Sequence, residues 1–291
     1  MHQYLKAIGY ENIQSKKDLK EILHQVETAF THQTVVSYHE SADFCELQKS
    51  CGQGIGITIC GELDEEENFE ADYYFPYFEG SGITTCAEVL VERRMDKEQY
   101  AGICEDPRVG ISLIFFLQNG IEYMKECQLG NVERRNTTVT FSGLSLSGRI
   151  LFPVQKSEEQ VKQEKESSNN RRELIHAARK GDQNAIETLT IDDMDLYTQV
   201  SRRLEKEDVF SIVDTYIMPY GIECDRYSIM GEILAYRQRK NESTGIELYQ
   251  MKLNVNGLQF DICIPKKELL GEPEIGRRFK GTIWLQGYIH F

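Results

Sequence analysis

Hydrophobic and polar positions alternate with a period of two through Tyr249, Met251, Leu253 and Val255, and again through Leu258, Phe260, Ile262 and Ile264. Asn256 and Gly257 join the two runs. That pattern predicts a two-residue hairpin, because both turn residues must take positive φ and only this kind of pair does so readily. Residues 228–237 and 278–289 add two further strands. Gly231, Gly281 and Gly287 inside them predict bends or bulges. Together these runs predict a small, strongly curved antiparallel sheet or a partly open barrel at the C-terminus.

Elsewhere the period shifts towards 3.6. Leu19, Ile22, Leu23, Val26 and Phe30 share one helical face behind Ser15 and Asp18, whose spacing is that of a capping box. Residues 171–179 read as helix through Leu174, Ile175, Ala177 and Ala178, with Gly181 as the stop. Asp182 caps a second helix through Leu189. Asp192 caps a third carrying Met194, Tyr197, Val200 and Leu204. Residues 207–218 read as a fourth, ended by Pro219. The first half is mostly strand: Ile55, Ile57 and Ile59 alternate with smaller residues, 69–78 is rich in aromatic residues, and 84–93 and 109–117 follow. The run 109–117 is apolar on both faces, as in a covered central strand. Residues 137–141 and 148–152 read as a closing pair and 96–101 as a short helix. The expectation is an α+β protein, an N-terminal mixed sheet with helices followed by C-terminal helices and the curved sheet.

One stretch breaks both periods. PVQKSEEQVKQEKESSNNRR, residues 153–172, has almost no apolar side chain and cannot bury enough surface to offset its ordering entropy. It divides the chain into a domain at 1–152, a polar linker at 153–172, and a domain at 173–291. A length of 291 residues fits two domains.

Composition narrows the function classes. The net charge of −14 repels phosphate backbones, which makes nucleic acid an unfavourable partner. The longest uncharged apolar run, 109–117, is far below the ~20 residues of a membrane-spanning helix, and residues 1–6 carry no signal-peptide core. No membrane association is expected. The eight cysteines form no C-x-x-C pair and sit largely in apolar runs, as reduced core residues of a cytoplasmic protein do.

No motif carries recognisable chemistry. Gly52, Gly54 and Gly56 lead into a strand rather than a helix, unlike a phosphate loop. Asp64, Glu65, Glu66 and Glu67 lack the ligand spacing of a calcium loop and read as a solvated hairpin tip. The six histidines show no metal-binding spacing. The composition therefore calls for no cofactor and no metal. Two clusters remain. Glu105, Asp106 and Arg108 stand in a loop entering the most apolar strand, where binding groups often sit, although a structural ion pair gives the same pattern. Arg277, Arg278 and Lys280 lie close in sequence to Trp284, the one tryptophan. Exposed on a curved sheet, this mix suits a small anionic ligand or a protein partner. Buried, it is a core tryptophan with solvated bases.

Longer strings carry a resemblance. YAGICED at 100–106, RVGISLIFFLQN at 108–119, EDVFSIVDTY at 207–216, MPYGIECD at 218–225, and GEPEIGRRFKG at 271–281 with WLQG at 284–287 resemble an uncharacterised bacterial family, a domain of unknown function from Gram-positive anaerobes. The resemblance spans nearly the whole length and implies no activity and no catalytic residues. The function expected is that of a non-catalytic cytoplasmic binding or interaction protein. The competing expectation is an enzyme with a site between the domains, using Glu105, Asp106 and Arg108.

Overall fold

Asn256 and Gly257 take φ values of 52° and 83°, and the turn pairs Val255 with Leu258 as the alternation requires. In the computed structural model, which describes residues 2–13, 15–39, 42–94, 98–131, 137–154, 170, 173–175, 177–178, 180–204 and 208–291, this hairpin is one corner of a barrel. Its strands are β8 (Thr138–Leu151), β10 (Arg226–Lys240), β11 (Glu247–Val255), β12 (Leu258–Pro265) and β14 (Arg278–His290). β8 closes the barrel by running parallel to β12 and antiparallel to β14 from Thr138–His290 to Leu151–Arg278, and its end also pairs in parallel with the short β13 (Leu269–Leu270). Leu253, Phe260, Ile262 and Ile283 are fully enclosed, and each such side chain stabilises the fold by about 1.5–3 kcal/mol.

β14 also continues outwards, parallel to β7 (Leu113–Leu117), which is followed by β6 (Tyr100–Cys104) and β5 (Val89–Arg93). A separate antiparallel meander contains β1 (His32–His39), β2 (Ala42–Gly52), β3 (Ile55–Asp64) and β4 (Phe69–Phe78). Helix α1 (Lys16–Thr28), with the Ser15–Asp18 capping box in place, packs on β2 and β3, where Lys49 donates to the Gln25 carbonyl. Helix α2 (Gly120–Gln128) packs on β1 and β2. Buried residues from both sides of residue 152, such as Phe75, Phe116, Phe141, Phe260 and Trp284, belong to one core.

The α+β expectation is overturned. The protein is mostly β, 48% strand against 22% helix, with a closed five-stranded barrel and a four-stranded sheet. Two misread segments explain the difference. Residues 137–141 and 148–152 are not a pair but the two ends of β8. The glycines between them imitate a connection. Gly148 faces Gly281 across the β8–β14 ladder, and a Cβ on either would collide with the Phe279 ring. These glycines admit that ring to the barrel instead of breaking the strand. Of the described residues in 207–218 only Val209–Ile212 are helical, and Tyr216–Pro219 forms β9, paired with β10. The helices capped by Asp182 and Asp192 are one, Gln183–Leu204, with Asp182 accepting from the Asn184 and Ala185 amides. Of the helix expected at 96–101, Tyr100 and Ala101 open β6, and 95–97 lie outside the described residues. Most of the 153–172 segment and part of the 171–179 helix also lie outside them.

No helix among the described residues is long and apolar enough to cross a membrane.

Candidate functional site

The meander's register stacks polar groups on one face. His32 pairs with Gln48, Gln48 with Thr58, and Thr58 with Phe75. The adjacent row runs from Thr34 through Glu46 and Cys60 to Tyr73. Strand alternation places both rows on the same side. That side faces the start of α2 and the end of β14, and between them lies a cavity of about 180 Å³.

Glu46 is the buried charge of this cavity, 5% exposed. Its Oε1 accepts from the Gln48 amide at 2.5 Å. Among the described residues it forms no ion pair. Burial pushes its carboxyl up to about 7 against a usual 4.5; the Gln48 hydrogen bond and Lys125 pull down, and the Glu122 charge pushes up further. Beside it, the Thr58 hydroxyl is fully buried and has no hydrogen-bond partner among the described residues. Buried polar atoms are nearly always paired, so an orphan lining a cavity calls for an explanation.

The opposite wall is built by Gln118, Asn119, Ile121, Glu122 and Tyr288. Tyr288 donates to Glu122 Oε2 at 2.6 Å and Asn119 donates to the same oxygen at 2.8 Å. Burial and that hydrogen bond raise the Tyr288 hydroxyl well above its usual range. The Gln118 amide donates to the Phe78 carbonyl at 2.9 Å and to Gln286 Oε1 at 2.8 Å, while Gln286 donates to the Pro76 carbonyl at 2.8 Å. These amides clamp β4 to the barrel and fix the two walls relative to each other. Gly56 has no Cβ because the Tyr77 ring lies across it, which brings that ring to the cavity's edge.

The residues singled out from sequence lie elsewhere. Asp106 is buried and joined to Arg108 at 2.5 Å, and it also accepts from Thr85 at 2.6 Å. Desolvation pushes its carboxyl up, but the hydrogen bonds from Arg108 and Thr85 outweigh that and hold it below the usual range. Arg108 further donates to the carbonyls of Thr84 (2.8 Å) and Gly257 (3.0 Å), tying the loop to the barrel hairpin. Glu105 is exposed, 3.4 Å from Ser112 Oγ. The basic cluster does not form one surface. Arg278 is buried and donates to the Phe152, Phe210 and Val213 carbonyls at 2.8–2.9 Å. Trp284 is in the core, 5.1 Å from both Tyr4 and Phe116. Arg277 pairs with Glu274 at 2.8 Å, and Lys280 sits 4.8 Å over the Phe210 ring.

Sequence reading missed Glu46, Thr58, Glu122 and Tyr288. One signal was present: Glu46 interrupts the apolar positions Phe44, Cys45 and Leu47 within a strand. A carboxylate placed there is held inside rather than solvated.

Fold and cavity define a closed-barrel β-protein with an acidic pocket against an added four-stranded sheet. The chain belongs to the family described as "Domain of unknown function, E. rectale Gene description (DUF3881)", which matches residues 5–287. No curated protein and no solved structure is significantly similar to it.

Proposed function

We propose that this is a non-catalytic, cytoplasmic binding protein that holds a small polar molecule in the cavity between the meander and the barrel. The observation that carries this reading is the orphan Thr58 hydroxyl beside the buried Glu46 carboxyl. An unpaired buried hydroxyl costs about 1–3 kcal/mol, and a bound ligand atom would remove that cost. All eight cysteines are free thiols, which suits a reducing compartment.

The test is a thermal-shift screen of the dialysed full chain against small polar metabolites of positive, neutral and negative charge. A true ligand at about 100 times its Kd stabilises by about 2.7 kcal/mol, or a Tm rise of roughly 5 °C. That rise should vanish in Thr34→Trp, which fills the cavity from β1, with the variant's own Tm reporting its fold. A screen with no hit, or a hit that shifts Thr34→Trp equally, refutes the reading.

A further inference from the structure

We propose that the ligand is a small organic cation bearing a primary ammonium group, held between Glu46, Glu122 and Thr58. The inference rests on the cavity reading above and assigns the chemistry of its occupant.

Several amide and phenol donors of the cavity wall are already engaged, though the Tyr77 hydroxyl at its edge is not among them. Gln48 donates to Glu46, Tyr288 and Asn119 to Glu122, and Gln118 to Phe78 and Gln286. Glu46 and Glu122 keep acceptor capacity, since an ionised carboxylate has about four lone-pair sites and the hydrogen bonds these two accept fill fewer. The Thr58 hydroxyl, which can accept as well as donate, has no partner among the described residues. Glu79 lines the same space, and no lysine or arginine does. A ligand that brought negative charge would meet repulsion. An ammonium group brings three donors, no acceptor and a positive charge.

Shape agrees with charge. The rings of Phe75 and Tyr77 line one side, and aromatic faces attract cations. A volume of about 180 Å³ admits a short aliphatic amine. A divalent metal fits less well: among the described residues no group of three or more His, Cys, Asp or Glu side chains could hold one. The arrangement also explains why a carboxylate is kept in a buried strand position without an ion pair. Its counter-charge arrives with the ligand.

The experiment is isothermal titration of the full chain at pH 8 with 1,4-diaminobutane and ethanolamine, beside 1,4-butanediol, succinate and magnesium chloride. The expected result is binding of the amines, with the diol and succinate at least about 30-fold weaker. Thr58→Val should weaken amine binding about tenfold, the worth of a hydrogen bond to a charged group, while its Tm stays level or rises. Glu46→Gln should weaken it by more. A purely structural Thr58 would leave amine affinity unmoved. Binding of the diol or succinate that Thr58→Val weakens would overturn the ammonium assignment and leave the cavity as a binding site. Tighter binding of magnesium than of either amine would overturn it as well. No binding by any titrant would overturn both readings.

Discussion

Burial of Glu46 should make the protein less stable as the pH rises through neutrality. Its carboxyl is pushed up from 4.5 to about 7, mainly by burial. Between those values the folded chain binds a proton at Glu46 that the unfolded chain has released. The stability this proton supplies is therefore fully present below 4.5 and lost as pH climbs to about 7. At about 1.36 kcal/mol per pH unit the loss is roughly 3 kcal/mol. The groups acting on Glu46 are Glu122 and Lys125 of α2, Cys60 of β3, Tyr73 and Tyr77 of β4, Tyr288 of β14 and its neighbour Cys45. The cysteines and tyrosines among them are all raised, so they stay protonated across this window and do not confuse it. Glu46→Gln imitates the protonated form and can still accept from Gln48. Urea denaturation of both proteins at pH 5, 6, 7 and 8 is the assay. The variant should gain on the wild type from below about 1 kcal/mol at pH 5 to about 3 kcal/mol at pH 8. Two curves that run parallel over this range would refute the assignment of a buried, proton-holding carboxyl.

Two further substitutions probe the clusters found from sequence. Arg108→Ala leaves Asp106 buried without its cation and should destabilise by about 3 kcal/mol at pH 7; because the Asp106 carboxyl is held below 3.8, its contribution is present above that value and lost as pH falls through the depressed one, so the deficit in a urea titration should narrow below pH 4. Arg278→Met removes the donor to three carbonyls and should lower stability by roughly 2–4 kcal/mol. It should also speed proteolytic cleavage within 208–214, the segment that Arg278 holds to the barrel; an unchanged cleavage rate would show that other contacts hold it.

What could be read from the sequence was what neighbouring residues decide. The Asn256-Gly257 hairpin, the Ser15–Asp18 box and the Asp182 cap each depend on residues within a few positions of one another, and all three are found. Barrel closure is different. β8 meets β14 more than a hundred residues later, and the glycines that admit Phe279 look like a turn when read locally. Trp284 lies in the core because Tyr4 and Phe116, both distant in sequence, pack against it. The cavity could not be found by spacing, because its polar row takes one residue from each of four strands and its other wall from 118–122 and Tyr288. Only Glu46, out of place among apolar neighbours, marked it.

The cost of Glu46 and the proposed ligand are two sides of one equilibrium. An ammonium group within hydrogen-bond reach favours the ionised carboxylate, as any nearby opposite charge does. Binding should therefore pull the Glu46 carboxyl down from about 7, and at pH 7, where about half the free protein carries that proton, each binding event should release roughly half a proton. The release can be measured by titrating 1,4-diaminobutane in two buffers of different ionisation enthalpy. The observed heats should differ by about half that enthalpy difference at pH 7 and converge by pH 8.5, where Glu46 is already ionised. In Glu46→Gln the two buffers should give the same heat at both pH values. Wild-type heats that do not depend on buffer at pH 7 would mean that the cation and the Glu46 proton do not compete, and the ammonium would then have to be held without Glu46.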